Sequence, residues 1–348
     1  MSVKFWLIAG AVAVSFGPLA ASAQTVQITG AGSSFAAPLY GKWGGAAKGP
    51  VGVELNYQSV GSGAGVKAVT GGNVDFGASD APVAADKLAA ANLVQFPSAM
   101  GAVVIMVNVP GVKDGTLKLD GATLAAIYQG DIVKWNDKAI VALNKGIQLP
   151  SISIAPVYRA DASGTTFVFT SYLAKVSPDW EKVVGAGTSV KWPAGDGANN
   201  SNGVAQAVRQ VKGGIGYVEF SYASQNKIPT TMMKSHDGQF VAPTMANFDS
   251  AAAKADWSHS QNFAVSILDM PGANSWPIVT PTFVLVPAAP KDPSKTSGVL
   301  RMFDWAFTNG SAMAREIDYI PLPKVVQDEI RAEWKSQIKG PDSAAVFK

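Results

Sequence analysis

Three clusters of glycine and hydroxyl residues lie just ahead of predicted helices. Such a segment can bind an oxyanion, because the first turn of a helix has backbone N–H groups without partners and carries the positive end of the helix dipole. Glycine lets an anion approach the backbone closely, and a serine or threonine hydroxyl adds a donor that can rotate to fit. The clusters are Gly30-Ala31-Gly32-Ser33-Ser34-Phe35, Gly61-Ser62-Gly63-Ala64-Gly65 and Arg159-Ala160-Asp161-Ala162-Ser163-Gly164-Thr165.

Each cluster has an ordinary interpretation, because serine and threonine are common helix N-caps. Three clusters in one chain, one of them beside an arginine, favour an anion site. Arg159 is the candidate cation, since its planar guanidinium suits a tetrahedral oxyanion. Asp161 can orient that guanidinium. The alternatives are a surface ion pair for Arg159 and a cap or turn for Asp161.

Asp80 lies shortly after the short strand predicted over residues 74–77. Inorganic phosphate still carries a proton near neutral pH, whereas sulfate carries none. A carboxylate accepts a hydrogen bond from that proton but meets only negative charge on sulfate, so Asp80 would reject the fully deprotonated anion. Taken alone, a turn residue before Pro82 is the simpler interpretation.

The chain lacks the residue patterns of common catalytic sites. It contains no cysteine and two histidines, His236 and His259, which lie far apart in polar stretches. It has no zinc motif, no P-loop and no serine nucleophile elbow, and no pair of glycosidase carboxylates can be picked out. We therefore expect a binding protein that uses no metal or other cofactor, rather than an enzyme.

Residues 1–23 have the order of a secretory signal peptide. Lys4 precedes an apolar run over residues 5–14, and Ala21-Ser22-Ala23 offers a small-residue cleavage site. The run is too short to span a membrane, and no cysteine is present to carry a lipid. We expect a mature protein that begins near Gln24, lies free in a bacterial periplasm and has no direct membrane anchor.

The composition is that of a globular protein with little net charge. Of the 348 residues, 47% are hydrophobic and 15% are charged, and the length suits one large domain or two lobes. Without the signal peptide the chain has 27 basic and 25 acidic residues. This balance provides no basic stripe for nucleic acid and no polybasic membrane patch, so an anion must be held by local chemistry.

Apolar runs of strand length alternate with helical patterns along the mature chain. The alternation predicts α/β architecture with largely parallel sheets, but it does not decide between one domain and two lobes. Residues 185–203 are predicted to form a polar, glycine-rich loop. Predicted strands cover residues 26–29, 53–59, 74–77, 101–109, 152–158, 216–220 and 278–286, and predicted helices cover 35–47, 65–69, 124–128, 166–174 and 204–211.

At these residues the chain resembles the periplasmic phosphate-binding proteins of high-affinity phosphate ABC transporters. The resemblance is closest in segments 29–35, 75–82 and 159–165, which read TGAGSSF, DFGASDAP and RADASGT. It spans essentially the whole mature chain with similar spacing. Further similar stretches are residues 127–135, 167–175, 190–193, 214–219 and 303–306.

The resemblance implies a two-lobed periplasmic-binding-protein fold (class II-like), with mixed sheets flanked by helices and the ligand cleft at the hinge. Lobe 1 would comprise residues 24–108 and 281–348, and lobe 2 residues 109–280. The implied function is to capture inorganic phosphate in the cleft and to deliver it to the membrane permease subunits of an ABC importer. The protein would remain a monomer until it docks.

The resemblance also assigns eight ligand contacts. Ser34 and Phe35 would act through hydroxyl and backbone N–H, Asp80 as an acceptor, and Asp161 as the partner of Arg159. The chain departs from the family at Ser34, where threonine is common, and at 63–64, where Gly-Ala replaces Ser-Gly. The implied contacts are Ser34, Phe35, Ser62, Asp80, Arg159, Ser163, Gly164 and Thr165.

Three other functions stay open at this point. A binding protein for sulfate is disfavoured by Asp80, whereas arsenate also keeps a proton and is not distinguished. A secreted phosphatase would need a nucleophile, a base or a set of metal ligands, and none is visible. A structural or signalling protein that has kept the fold would not bind phosphate.

Overall fold

The computed structural model describes residues 1–3, 25–258 and 260–347. The predicted signal peptide falls, from Lys4 onward, outside the described residues, as does His259. Within the described ranges, no helix is long and apolar enough to cross a membrane.

Strands and helices alternate along the described chain. The strands are β1 (Val26–Gly32), β2 (Val53–Ser59), β3 (Phe76–Ser79), β4 (Leu93–Asn108), β5 (Lys118–Leu119), β6 (Ala155–Arg159), β7 (Asp196–Ala198), β8 (Gly214–Glu219), β9 (Met232–Lys234), β10 (Phe240–Val241), β11 (Ile267–Leu268) and β12 (Ile278–Pro287). The helices are α1 (Ala37–Val51), α2 (Ser62–Thr70), α3 (Ala85–Ala91), α4 (Gly121–Gln129), α5 (Lys138–Leu143), α6 (Gly164–Val176), α7 (Pro178–Val183), α8 (Asn200–Gln210), α9 (Phe220–Asn226), α10 (Met245–Ala252), α11 (Pro293–Asn309), α12 (Ser311–Arg315) and α13 (Lys324–Gln337).

The large sheet has the strand order β2-β1-β3-β12-β4-β8-β6-β7, with β11 beside β12. Its outer strands are parallel, since β1 is parallel to β2 and β3, and β6 is parallel to β7 and β8. Its centre is antiparallel, because β12 opposes β3 and β4, and β4 opposes β8. The largely parallel sheets predicted from patterning are therefore wrong at the centre, and the mixed sheets implied by the resemblance are confirmed. A strand buried on both faces has the same apolar pattern in either direction.

The strand β4 joins the two halves of the sheet. Its residues up to Ala102 pair with β12, and from Val103 onward they pair with β8. The strands β1, β2 and β3 lie on one side of this change and β6, β7 and β8 on the other. The fold is accordingly two-lobed, and we propose that the hinge lies where β4 changes partner, near Ala102 and Val103, and in the adjoining β12. The exact bounds of lobe 1 (residues 24–108 and 281–348) and lobe 2 (residues 109–280) stay a prediction, and residues 103–108 pair with the second half of the sheet.

An aromatic cluster fills the core of each lobe. In lobe 1, Tyr40, Phe76 and Phe303 meet edge to face with ring centroids 5.3 to 6.2 Å apart. In lobe 2, Phe169 stacks on Tyr217 at 4.2 Å. Each such pair stabilises the fold by about 0.5–1.5 kcal/mol beyond the contribution of its buried area. The hydroxyl of Tyr217 also accepts from the amide of Arg159 at 3.1 Å, so the core directly positions the end of β6.

The predicted elements are confirmed apart from their ends and one loop. Helix α2 begins at Ser62, and β4 begins at Leu93, both earlier than predicted. The loop predicted over residues 185–203 contains β7 and the start of α8. The prediction was wrong there because β7 is held by pairing with β6, a contact that the polar local sequence does not reveal.

Candidate functional site

The segments singled out in the sequence follow the ends of strands and meet in one buried place. The Ser33–Phe35 segment follows β1, Ser62 follows β2, Asp80 follows β3, and residues 159–165 run from the end of β6 into α6. Ligands of open α/β sheets bind beyond the carboxyl ends of parallel strands. The site residues Ser33, Ser34, Phe35, Ser62, Asp80, Arg159, Ser163 and Thr165 are all at most 4% exposed.

The segment that connects β1 to α1 carries two hydroxyl side chains, which have different partners. Ser33 Oγ accepts from the Ala36 amide at 3.1 Å, which is an ordinary cap contact. Ser34 Oγ accepts from the amide of Ser201 at 3.0 Å and lies 2.9 Å from Ser201 Oγ. Ser201 belongs to α8 in the other lobe, and no sequence motif marked it as a neighbour of the site.

Asp80 is surrounded by hydroxyl donors. Its Oδ1 accepts from Ser33 Oγ at 2.5 Å and from Thr282 Oγ1 at 2.8 Å, and its Oδ2 accepts from Thr165 Oγ1 at 3.4 Å. Burial raises the pKa of Asp80 above its ordinary value, against these hydrogen bonds and the charge of Arg159, which lower it. Oδ1 already accepts two hydrogen bonds, so Oδ2 is the oxygen that can accept a further hydrogen bond.

Ser62 and Gly164 bring the first turns of α2 and α6 against Asp80. Ser62 Oγ accepts from the Asp80 amide at 3.4 Å. A Cβ at position 164 would lie 2.5 Å from Asp80 N and 2.6 Å from Ser62 Oγ. Only glycine therefore lets α6 approach this closely, and its amide and that of Thr165, the first two of the helix, have no carbonyl of a preceding turn to bond.

Arg159 is buried and paired with Asp161. Its Nε donates to Asp161 Oδ1 at 2.7 Å, and its Nη2 donates to Asp161 Oδ2. The amide of Asn200 donates to the same Oδ1 at 3.0 Å. Burial opposes ionisation of Asp161, but the hydrogen bonds and charge of Arg159 hold the pKa of that carboxyl below its usual value. Because Arg159 is buried, the alternative of a surface ion pair is wrong. Its Nη1 lies on the edge of the guanidinium that does not contact Asp161.

Ser163 has a capping role as well. Its Oγ accepts from the Thr166 amide at 3.1 Å, as the ordinary interpretation of such a cluster expects. Because the contact uses the oxygen as an acceptor, the hydroxyl proton remains a donor.

Glu219 is a buried acid at the end of β8 that sequence reasoning missed. Its carboxyl oxygens accept from the amide of Ser221, both at 3.0 Å, and Oε2 lies 3.0 Å from the hydroxyl of Tyr319. Burial raises the pKa of Glu219 to about 8. In sequence it looks like an ordinary cap of α9, and the cause of its shifted pKa is tertiary burial.

We expect Glu219→Gln to remove part of the pH dependence of stability. The pKa is raised in the folded state, so the stabilising contribution of the proton is complete at low pH and is lost as pH rises from about 4.5 to about 8. The wild type should lose about 4 kcal/mol relative to the variant between pH 5 and pH 9. Chemical denaturation across this range measures it, with exposed Glu329→Gln as control, and parallel curves for wild type and variant would contradict the expectation.

No group of three or more histidine, cysteine, aspartate or glutamate residues is placed to hold a metal ion in the described part of the chain. The donors gathered around Asp80 and Arg159 are hydroxyls, amides and one guanidinium. Such a set suits an anion and not a cation.

Known proteins are similar in sequence to this chain over most of its length. The PBP superfamily domain matches residues 19–309. The phosphate-binding protein PstS of Pasteurella multocida is 43% identical over 337 residues, which cover 97% of this chain and 98% of that protein. PstS of Haemophilus influenzae is 45% identical over 317 residues, covering 91% and 95% respectively.

Solved structures share the fold at lower identity. The phosphate-binding protein of Stenotrophomonas maltophilia superposes with a TM-score of 0.71 at 21% identity, covering 92% of this chain and 99% of that one. A high affinity periplasmic phosphate-binding protein, PfluDING, bound with phosphate, superposes with a TM-score of 0.70 at 22% identity, covering 89% and 94%.

Proposed function

The chain belongs to the PstS family of phosphate-binding proteins, and on that premise we propose that it is the substrate-binding protein of an ABC-type phosphate importer. It captures inorganic phosphate in the cleft between its lobes and delivers it to the permease subunits. The observation that carries this function is the buried site itself, where one acceptor, Asp80, lies among hydroxyl and amide donors beside a single arginine.

The proposed contacts of the anion come from both lobes. Lobe 1 contributes Ser34, Phe35, Ser62 and Asp80, and lobe 2 contributes Arg159, Ser163, Gly164 and Thr165. Asp161 neutralises much of the charge of Arg159, so most donors to phosphate are neutral. A site of this kind holds the anion by many short hydrogen bonds and can still release it to a transporter once the lobes separate.

We further infer that the protein does not catalyse a reaction and works in the periplasm, to which its signal peptide directs it. It has no direct membrane anchor and is a monomer until it docks. The relatives are named as binding proteins. The one histidine that the structure describes, His236, is half exposed and pairs with Asp269 at 3.1 Å. Within the described part of the chain, its hydrogen-bond partner is Asp269 and not a hydroxyl of the site.

Titration calorimetry of the mature protein with phosphate, arsenate and sulfate tests the function. We expect tight binding of phosphate and much weaker binding of sulfate, while arsenate, which keeps a proton, competes with phosphate. Comparable affinities for phosphate and sulfate would contradict the role of Asp80, and no binding of phosphate would refute the function. Turnover of a chromogenic phosphate ester would instead identify a phosphatase.

Small residues let the two lobes meet at the cleft. The Gly63 amide donates to the Ala162 carbonyl at 2.9 Å. A Cβ at position 63 would lie 2.5 Å from Ala162 Cβ, closer than real Cβ atoms approach. Since Gly63 lies on lobe 1 and Ala162 on lobe 2, we propose that this contact forms when the cleft closes on its ligand.

We expect Gly63→Ala to weaken phosphate binding about tenfold to a hundredfold, since overpacking costs about 1–3 kcal/mol. The position lies in the first turn of α2, where alanine is well tolerated, so the fold is retained. Adding Ala162→Gly should restore affinity, because the next atoms are the carbonyl oxygen and carbon of residue 162, at 3.3 and 3.7 Å.

Calorimetry of the single and double variants checks this expectation. Gly45→Ala is the matched control, since a Cβ there meets nothing within 4 Å. Wild-type affinity in Gly63→Ala, or a double variant as weak as the single one, would show that this contact does not limit closure.

A further inference from the structure

Three consecutive backbone carbonyls just before α1 each accept a hydrogen bond from a tyrosine hydroxyl. Tyr57 donates to Ser33 O at 2.8 Å, and Tyr222 donates to Ser34 O at 2.6 Å. Tyr319 contacts the carbonyl oxygen of Phe35. The three tyrosines come from β2, α9 and the loop after α12, so distant parts of the chain meet on one short segment.

These bonds determine where the amides of the segment point. In a planar trans peptide, the carbonyl of one residue and the N–H of the next point in opposite directions. The carbonyls of Ser33 and Ser34 are turned toward the tyrosines, so the N–H groups of Ser34 and Phe35 are turned away from them. The carbonyl oxygens, which would repel an anion, are bonded elsewhere.

The amide that follows these two has a different partner. The Ala36 N–H donates to Ser33 Oγ at 3.1 Å, and Ser33 Oγ in turn donates to Asp80 at 2.5 Å. The Phe35 N–H is thus the middle amide of a segment whose neighbouring peptide groups are all held.

Tyr222 differs from the other two tyrosines in its place in the fold. Tyr57 lies on β2 in lobe 1, and Tyr319 lies in the C-terminal part of lobe 1. Tyr222 lies on α9, which follows β8 of lobe 2, and its hydroxyl reaches the Ser34 carbonyl of lobe 1. The Ser201 amide, also of lobe 2, donates to the side chain of the same Ser34 at 3.0 Å. Lobe 2 therefore holds Ser34 at two points.

We propose that Tyr222 is a positioning residue for the anion. On closure its hydroxyl takes the Ser34 carbonyl, and this orients the Phe35 N–H toward the ligand. The amide becomes a fully aligned donor in the closed state, so closure and anion binding strengthen each other. The proposal rests on the proposed function, because it takes phosphate as the ion in the cleft.

The Phe35 amide can be observed on its own. Ser34-Phe35 is the only Ser-Phe pair after residue 23, so labelling serine with ¹³C at the carbonyl and phenylalanine with ¹⁵N selects this single amide in an NMR spectrum. In the wild type, inorganic phosphate should move the Phe35 amide proton downfield, as a hydrogen bond to an anion does. In Tyr222→Phe the displacement should be clearly smaller, and phosphate should bind about threefold to tenfold more weakly, the effect of one hydrogen bond.

Tyr128→Phe is the matched control, because it removes a hydrogen bond from a tyrosine of lobe 2 to a backbone carbonyl, that of Val157 at 3.2 Å. It should lower the melting temperature without changing the Phe35 displacement or the affinity. A purely structural role of Tyr222 would have that same signature and would overturn the proposal. If the wild type neither binds phosphate in calorimetry nor shows a Phe35 displacement, the proposed function fails and the inference fails with it. A wild type that binds phosphate without a Phe35 displacement refutes the inference alone. A wild-type response that Tyr222→Phe reproduces in full refutes the inference alone.

Discussion

Arg159→Ala is expected to weaken the binding of phosphate, arsenate and sulfate alike by about a thousandfold, equivalent to about 4 kcal/mol. Two causes add. Charge-assisted hydrogen bonds to the anion, worth about 1.5–3 kcal/mol, are lost. The carboxylate of Asp161 also loses its partner and adds a negative charge beside the ligand.

The geometry explains why the second cause is large. One edge of the Arg159 guanidinium, Nε and Nη2, is bonded to both carboxylate oxygens of Asp161, and the side chain of Arg159 is only 2% exposed. Water therefore screens little of the charge that remains when the arginine is removed. Asp161→Asn in the same chain removes that charge, and we expect the double variant to bind phosphate about tenfold more tightly than Arg159→Ala.

Calorimetry with the three anions measures both effects. Arg331→Ala is the control, because its Nε donates to Asp304 at 2.6 Å in a comparable pair that is partly exposed and lies outside the site. Retained affinity in Arg159→Ala would mean that the site is misplaced. A double variant no better than the single one would show that Asp161 acts only on the arginine.

Asp80→Asn is expected to narrow the preference for phosphate over sulfate by about a hundredfold, or about 3 kcal/mol. The hydroxyls of Ser33 and Thr282 both donate to Oδ1, so the amide of the variant will place its carbonyl oxygen there. Its Nδ2 then replaces Oδ2 on the side of Thr165 and donates to either anion. The affinity for sulfate should increase most, because the variant no longer presents this anion with a negative charge and an unpaired acceptor.

The ratio of the two dissociation constants, measured at one pH, is the quantity to compare. Asp75→Asn serves as control, because Asp75 Oδ2 accepts from the Thr29 amide at 2.7 Å and from its hydroxyl at 3.0 Å. It should alter stability and leave the ratio unchanged. An unchanged ratio in Asp80→Asn would refute the proposal that Asp80 selects phosphate by accepting a hydrogen bond from its proton.

The residues around Asp80 show which contacts were visible in the sequence and which were not. Arg159 and Asp161 are two positions apart, and Ser33 is next to a predicted contact. Thr282 comes from β12, and Ser201 and Tyr222 come from helices of the other lobe. No local pattern distinguishes these three from other serines, threonines and tyrosines.

Local sequence was sufficient to propose the anion-holding segments, because a strand end followed by glycine, a hydroxyl residue and a helix already determines where free N–H groups will be. Those segments and Asp80, together with the family resemblance, were enough to predict phosphate as the ligand. The tertiary structure decided the direction of β4 and β12, the closeness of Gly63 to Ala162, and the tyrosines that hold residues 33–35. The reason is that strand direction and hydrogen-bond partners depend on pairings across the chain, which an apolar run or a lone hydroxyl residue does not specify.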